Sequence, residues 1–373
     1  MTNHAAPGAT VEAKRPCLLR YAIYSCIFAG WMVLIFFVTG GRSDPMWLAH
    51  WQRWDANWYE QIWSAGYRSD PKTLAFPPAY PYLVGIVAKI FSKSFLGTAV
   101  VLNLFAFFAA AAVISDWLSR KFGVSPYLLF AFTVSAPAAY FAFTSYSDVV
   151  FMLLLWVVLY IALEPKEPAS AKILIAQALL LFLLPWVRLT GYALASWLLA
   201  RRRAAFAVIA ALALWLGFNR IVAGNPFYFL RAQETFAMQS GGFFQGLASS
   251  LAALLSYYLP NGYLVSWLQF GFLPLFYLAA LTAVAIWLAK HGEGLLAITT
   301  LAILFLSHNQ GAWRSVVRYD LPILPFLCLP LLGAAGSSPK SRWLKAAFYL
   351  LLASQFALQL IFARSFHSGG WAF

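Results

Sequence analysis

The chain has 373 residues, 62% of them hydrophobic and only 10% charged, where a soluble domain carries roughly 45–50% apolar and about 25% charged residues. With a mean hydropathy of +0.73, this composition excludes a soluble protein and also a chain held by one anchor, since about 20 apolar residues make a single span. The net charge of +14 does not indicate a nucleic-acid partner, because the only basic run, Arg201-Arg202-Arg203, sits between two apolar segments as a cytoplasmic loop does.

The apolar runs are continuous rather than short and alternating, which predicts an all-α polytopic membrane protein and not a barrel. Residues 1–18 are polar and include Lys14 and Arg15, a cytoplasmic tail by the positive-inside rule. The run 21–40 is too long for a signal h-region and lacks an A-x-A site, so it reads as a retained first span. Further spans are predicted near 97–116, 125–143, 147–163, 172–186, 189–200, 204–222, 264–289, 294–308, 320–336 and 343–363. These make about 11 transmembrane helices in one membrane-embedded domain. More than half of the basic residues then fall in the N-terminal tail and the short cytoplasmic connections together, as orientation requires. Residues 80–92 read as a helix lying on the membrane surface rather than an extra span.

Two external segments are too long to be simple connectors: a first loop over 41–96 and a second over 223–263. Long ordered loops are where function concentrates. In the first, a continuous helix would place Trp47, Trp51, Trp54 and Trp58 within about 60° of one another, an indole stripe at headgroup level. Asp55 lies at the edge of that stripe. It is either an incidental acid of an interfacial helix or a general base held where a lipid-linked substrate presents its head. The loop continues through Gly66-Tyr67 to Phe76-Pro77-Pro78-Ala79-Tyr80-Pro81, whose prolines predict a rigid turn that ends the loop and starts the next helix.

Ser145-Tyr146-Ser147-Asp148 precedes an apolar run, so Asp148 reads as a helix cap or as a second acid of a site. Arg188 interrupts an apolar stretch, a costly position unless it faces a cavity or a counter-charge. The second loop carries Gly224-Asn225-Pro226 and Gln233. The stretch from Ser307 and His308 to Asp320 is the most polar external segment of the C-terminal half. Arg314 and Arg318 are four apart, so on a helix both forks could reach one phosphate; a juxtamembrane turn meeting lipid headgroups is the alternative. Cys17, Cys26 and Cys328 form no disulfide or zinc pattern.

Taken in order from Trp54-Asp55 through Arg188-Leu189-Thr190-Gly191 to Arg318-Tyr319, these motifs resemble the PIG-V family, which comprises GPI mannosyltransferase II enzymes and prokaryotic relatives in the GT-C class of glycosyltransferases. The resemblance implies a GT-C fold with its catalytic acid in the first external loop, the position of Asp55. Asp148 matches the second acidic position, with Ser-Asp where the family usually has Ser-Glu-Ser. The Arg314–Arg318 region matches the stretch facing the donor phosphate. Asn225 departs from a Gly-Asp-Pro motif, and no role is carried onto it.

The implied activity is transfer of a hexose, mannose by family, from a polyprenyl-phosphate (dolichyl-phosphate-like) donor to a lipid or glycan acceptor hydroxyl on the non-cytoplasmic face, with inversion. In that scheme Asp55, Asp148 and His308 are the catalytic residues, Asp55 as the base and His308 in proton transfer or phosphate binding, while Arg188, Arg314 and Arg318 hold the donor phosphate. Trp54, Trp58, Tyr59, Tyr80 and Gln233 meet sugar or acceptor. The host is a prokaryotic plasma membrane or an endoplasmic-reticulum-like one. No nucleotide loop of the GxGxxG or GxxxxGK[ST] type occurs, consistent with a phosphate-carried donor. No cofactor is expected; a hard cation between Asp55 and Asp148 is the one metal arrangement the acids allow. The reading from another class is a lipid or sugar transporter or flippase, which would carry two-fold repeats with broken midplane helices; none is visible.

Overall fold

A computed structural model of the chain describes residues 17–164, 171–199, 202–235, 242–255, 264–309, 313, 315–334 and 341–370. Arg201, Arg314 and the tail as far as residue 16 lie outside them. All regular structure among the described residues is helical. Helix α1 (Cys17–Val38) leads into a 3-10 turn, Ala49–Trp51, followed by α2 (Asp55–Ala65), a second 3-10 turn (Pro71–Ala75), α3 (Ala79–Ile90) and α4 (Phe95–Phe122). Then come α5 (Pro126–Val134), α6 (Asp148–Leu163), α7 (Ala171–Val187), the 3-10 segment Leu189–Leu199 and α8 (Arg202–Ala223). The second long loop folds as α9 (Tyr228–Glu234) and α10 (Gly242–Leu255). The C-terminal part holds α11 (Leu264–Trp267), continuing through a π turn into α12 (Leu273–Lys290), α13 (Gly294–His308), α14 (Val316–Tyr319), α15 (Leu329–Ala334) and α16 (Ser341–His367).

Local chemistry sets several of these boundaries. Ser94 Oγ accepts from Gly97 N–H at 3.2 Å and opens α4, and Gly123, left-handed at φ 67°, closes it by bonding back to Ser119. That pairing of an N-cap side chain with a C-terminal glycine satisfies backbone groups both helix ends would leave open. The prolines of 77–81 behave as their geometry requires: Pro78 precedes α3 and Pro81 sits in its first turn, where no donor is missed.

Among the described residues, five segments are long and apolar enough to cross a membrane: 18–38, 95–122, 206–223, 264–290 and 342–367. Their outer faces expose Val33, Phe37, Val101, Phe105 and Leu214, among others, as lipid-facing surfaces do. The chain is an integral membrane protein. Helices over the predicted spans 147–163, 172–186 and 294–308 also form, each shorter than those five.

Three predicted spans are not continuous helices built mainly of α-turns. In 125–143, α5 stops at Val134, ahead of Pro137, and the chain runs on as buried turns to Ser147. Residues 189–199 are 3-10, and residues 320–334, with Pro322, Pro325 and Pro330, are a turn, a 3-10 helix and a short α-helix. Proline removes helix donors, and irregular backbone survives at depth only where protein groups replace the lost partners. They do so here: Gln359 Nε2 donates to Val134 O and Ala136 O, both at 3.0 Å, and Asn103 Nδ2 donates to Thr144 O at 2.6 Å and Tyr146 O at 2.8 Å.

Ion pairs fix the relative direction of the central helices. Arg120 and Lys121, at the end of α4, pair with Glu164 (3.6 Å), just past α6, and Glu293 (2.7 Å), just before α13. Arg20 of α1 joins that end through Asp116 at 3.1 Å. Asp148, at the other end of the 16-residue α6, is about 24 Å away at 1.5 Å per residue. There the N-termini of α2 and α6 meet the C-termini of α7 and α13.

Gly191 allows the turn between α7 and the 3-10 segment to fold tightly. A Cβ there would lie 2.5 Å from Pro185 N and 2.6 Å from Leu184 C, and both obstacles are backbone. Gly191→Ala is expected to destabilise the protein by about 1–3 kcal/mol, read as a lower midpoint of thermal unfolding in detergent. An unchanged midpoint would contradict this packing.

Candidate active site

Asp55 is the first residue of α2 and Asp148 the first of α6, positions where free N–H groups and the helix dipole favour a carboxylate. Arg188 directly follows α7, its N–H still bonded to Leu184 O at 3.0 Å, where the dipole favours a cation. Arg318 sits in the single turn of α14. Tertiary packing brings these four to one cavity of about 190 Å³, with Asp55, Arg188 and Arg318 in its lining.

Arg318 is the centre of the cluster. Its Nη1 lies 3.0 Å from Asp55 Oδ2 and its Nε 3.6 Å from Asp148 Oδ1. Arg188 Nη1 lies 2.8 Å from Asp148 Oδ2, so Asp148 stands between two guanidinium groups. The Tyr319 ring carries both, with Arg188 at 4.5 Å and Arg318 at 4.9 Å from its centroid, and Tyr146 lies 4.9 Å from Arg318 on another side. Two cations and two anions cancel, which lets Asp148 and Arg318 be 2% and 3% exposed without an uncompensated charge. Burial opposes the charge on Arg318, but Tyr319, Asp55 and Asp148 outweigh it and hold its proton more firmly than usual. Asp55 is the more open acid, with its side chain 21% exposed.

The rest of the lining offers hydroxyl and amide groups against an apolar wall. Tyr59 pairs with Ser147 through their hydroxyls at 3.0 Å; burial pushes ionisation of the Tyr59 phenol up, so it remains protonated. Gln233 Nε2 donates to Ala75 O at 2.8 Å, tying the second long loop to the first at the cavity rim. Phe76, Pro77, Leu189, Thr190, Leu306 and Ser307 complete most of the surface.

Of the residues predicted from sequence, Asp55, Asp148, Arg188, Arg318, Tyr59 and Gln233 come together here. Trp58 packs one layer out, stacked on Phe76 with centroids 6.4 Å apart. Tyr80 lies behind the wall, edge-on to Tyr59 at 5.0 Å and accepting from Asn103 at 3.0 Å. His308 is fully buried outside the lining; its Nδ1 faces Leu304 O at 3.0 Å and its Nε2 faces Pro274 O at 3.3 Å. Its neighbour Ser307 reaches the cavity and donates to Asp320 at 2.7 Å. The paired arrangement of Arg314 and Arg318 rests on a residue outside those described.

The indole stripe predicted for 47–58 does not form. The chain turns after Trp51 and α2 starts only at Asp55, with Trp54 at φ 54°, ψ −117° between them. Trp51 is buried and Trp54 is 41% exposed, so the indoles fall in different environments. Trp54 in this conformation is the first central residue of a type II′ turn, closed by Ala56 N–H to Arg53 O at 3.1 Å, a place that favours glycine. Such backbone costs of order 1–3 kcal/mol and concentrates at functional sites.

Sequence reasoning missed Ser147, Thr190, Ser307 and Tyr319 as lining groups, and Asn103 and Tyr146 behind them. Asn103 carried a usable signal, an amide within an apolar span; the others look like ordinary loop residues. Among the described residues, no group of three or more His, Cys, Asp or Glu side chains converges as metal ligands would. The two acids share the Arg318 guanidinium.

Fold and site together define a polytopic helical membrane protein with a buried, charge-balanced cleft between two carboxylates and two arginines. No protein-family model and no curated protein matches the chain. A crystal structure of ArnT from Cupriavidus metallidurans bound to undecaprenyl phosphate is loosely similar, with 16% identity and a TM-score of 0.45, covering 91% of this chain and 76% of that one.

Proposed function

We propose that the protein is a GT-C glycosyltransferase that moves a hexose from a polyprenyl-phosphate carrier to an acceptor hydroxyl. The observation that carries this reading is the contact of the half-open Asp55 carboxylate with the Arg318 guanidinium at 3.0 Å, in a cavity that Arg188 also lines. A base and two phosphate-binding forks are the parts such a transfer needs. In the reaction, Asp55 takes the acceptor hydroxyl proton as that oxygen attacks the anomeric carbon. The bond to the phosphate oxygen breaks on the opposite face, inverting the carbon. The bonding pair leaves on the polyprenyl phosphate, whose charge Arg318 and Arg188 receive.

The resting pair suggests an order of events. Donor phosphate competes with Asp55 for Arg318, so donor binding releases the carboxylate for its role as base. The resemblance of the Trp54-Asp55 to Arg318-Tyr319 motifs to the PIG-V family supports mannose as the sugar. The bias of basic residues toward the opposite ends of the helices supports a cytoplasmic N-terminus and a site on the external or lumenal face.

The test is incubation of purified protein with radiolabelled polyprenyl-phosphate mannose and a panel of lipid and glycan acceptors. Acceptor-dependent transfer of label is expected; its absence with mannosyl and other hexosyl donors would overturn the reading. Arg318→Gln is expected to raise the donor KM by about tenfold or more, since hydrogen bonds to charged groups contribute about 1.5–3 kcal/mol. An unchanged donor KM would remove Arg318 from phosphate binding.

A further inference from the structure

We infer that Tyr146 is a positioning residue whose hydroxyl holds the strained turn that presents Asp55 to the cavity. The inference rests on the reading of Asp55 as the base. The Tyr146 hydroxyl donates to Arg53 O at 3.1 Å and accepts from Asp55 N–H at 3.2 Å. One oxygen therefore binds both peptide groups that flank Trp54, the residue in the glycine-favouring conformation. A conformation of this kind persists only where surroundings over-determine it, and here a single phenol spans it. Tyr146 is itself almost fully buried, its own carbonyl is captured by Asn103 of α4, and burial keeps its hydroxyl protonated.

The same side chain reaches the phosphate-binding half of the site. Its ring lies 4.9 Å from the Arg318 guanidinium carbon, a cation–π distance. Tyr146 thus sets Asp55 through its hydroxyl and supports Arg318 through its ring. The two functions separate chemically: Tyr146→Phe removes the first and keeps the second. They also separate by backbone, because glycine at position 54 adopts the turn without a hold.

The experiment is a four-member cycle of wild type, Tyr146→Phe, Trp54→Gly and the double variant, with each double-variant value referred to Trp54→Gly alone. In the Trp54 background, Tyr146→Phe is expected to lower kcat by about 10–100-fold, the scale of a small misplacement of a catalytic group, with donor KM within about twofold. In the Trp54→Gly background the same change is expected to cost less than about threefold in kcat. Equal losses in both backgrounds would show a general packing role and overturn the inference, as would an unchanged kcat for Tyr146→Phe.

Midpoints of thermal unfolding in detergent, measured through the same cycle, report on the clamp without turnover. Tyr146→Phe should lower the midpoint more in the Trp54 background than in the Trp54→Gly background; equal shifts overturn the clamp. Asp55→Asn, assayed in parallel, reports on the base alone. Full transfer by that variant removes the catalytic reading, while the unfolding cycle still decides whether the hydroxyl holds the turn.

Discussion

Asp55→Asn is expected to reduce transfer by about 10²–10⁴-fold, the usual worth of a general base, with the protein still folded and inserted. The amide has nearly the shape of the carboxylate, and Arg318 keeps Asp148 at 3.6 Å when the Asp55 charge is removed. The Asp55 side chain is also partly open to solvent, so the cost of losing its ion pair is softened by water. Single-turnover transfer with saturating donor and acceptor isolates the chemical step. A rate near wild type would show that another group takes the proton. Donor binding should strengthen or hold, because the phosphate then meets no competing carboxylate at Arg318.

Asp148→Ala is expected to act on the fold. Asp148 lies against Arg188 at 2.8 Å and Arg318 at 3.6 Å, and both cations lie in largely buried surroundings, with side chains 11% and 4% exposed. Removing one partner of a buried ion pair costs about 3–5 kcal/mol, because the remaining charge loses its compensation. The loss should appear as reduced yield and a lower unfolding midpoint in detergent. Asp148→Ala combined with Arg188→Met should be less destabilised than Asp148→Ala alone, since it removes a stranded cation with the anion. If the double variant loses as much as the separate changes added together, the pair is not coupled.

The two acids show how far local patterns reach. Both readings of Asp148 hold together: it begins α6, where a carboxylate complements the helix end, and it also pairs across the site. The cap is a local property and could be read from the Ser-Asp before an apolar run. The pairing joins α6 to residues after α7 and within α14, which no spacing rule connects. Arg188 sits between these cases. Its place in an apolar stretch demanded a cavity or a counter-charge, though not which cavity or which acid.

Trp54 marks the opposite limit. Periodicity made 47–58 a helix with one indole face, because nothing nearby signals a break. The break is imposed from α4 and the 144–147 turn, through Asn103 and Tyr146. Tertiary contacts overrode a local preference at a position where strain is tolerated only because it is held.

Composition alone placed this chain in a membrane, since the cost of burying or solvating apolar surface adds residue by residue and needs no partner. The scarcity of charge likewise singled out Asp55, Asp148, Arg188, Arg314 and Arg318, because a charge beside apolar segments requires a reason. Which charges neutralise one another, and which of them line one cavity, was decided by the tertiary structure. Ion pairs depend on distances of a few ångströms between helix ends, and those distances follow from packing and buried turns, not from sequence separation.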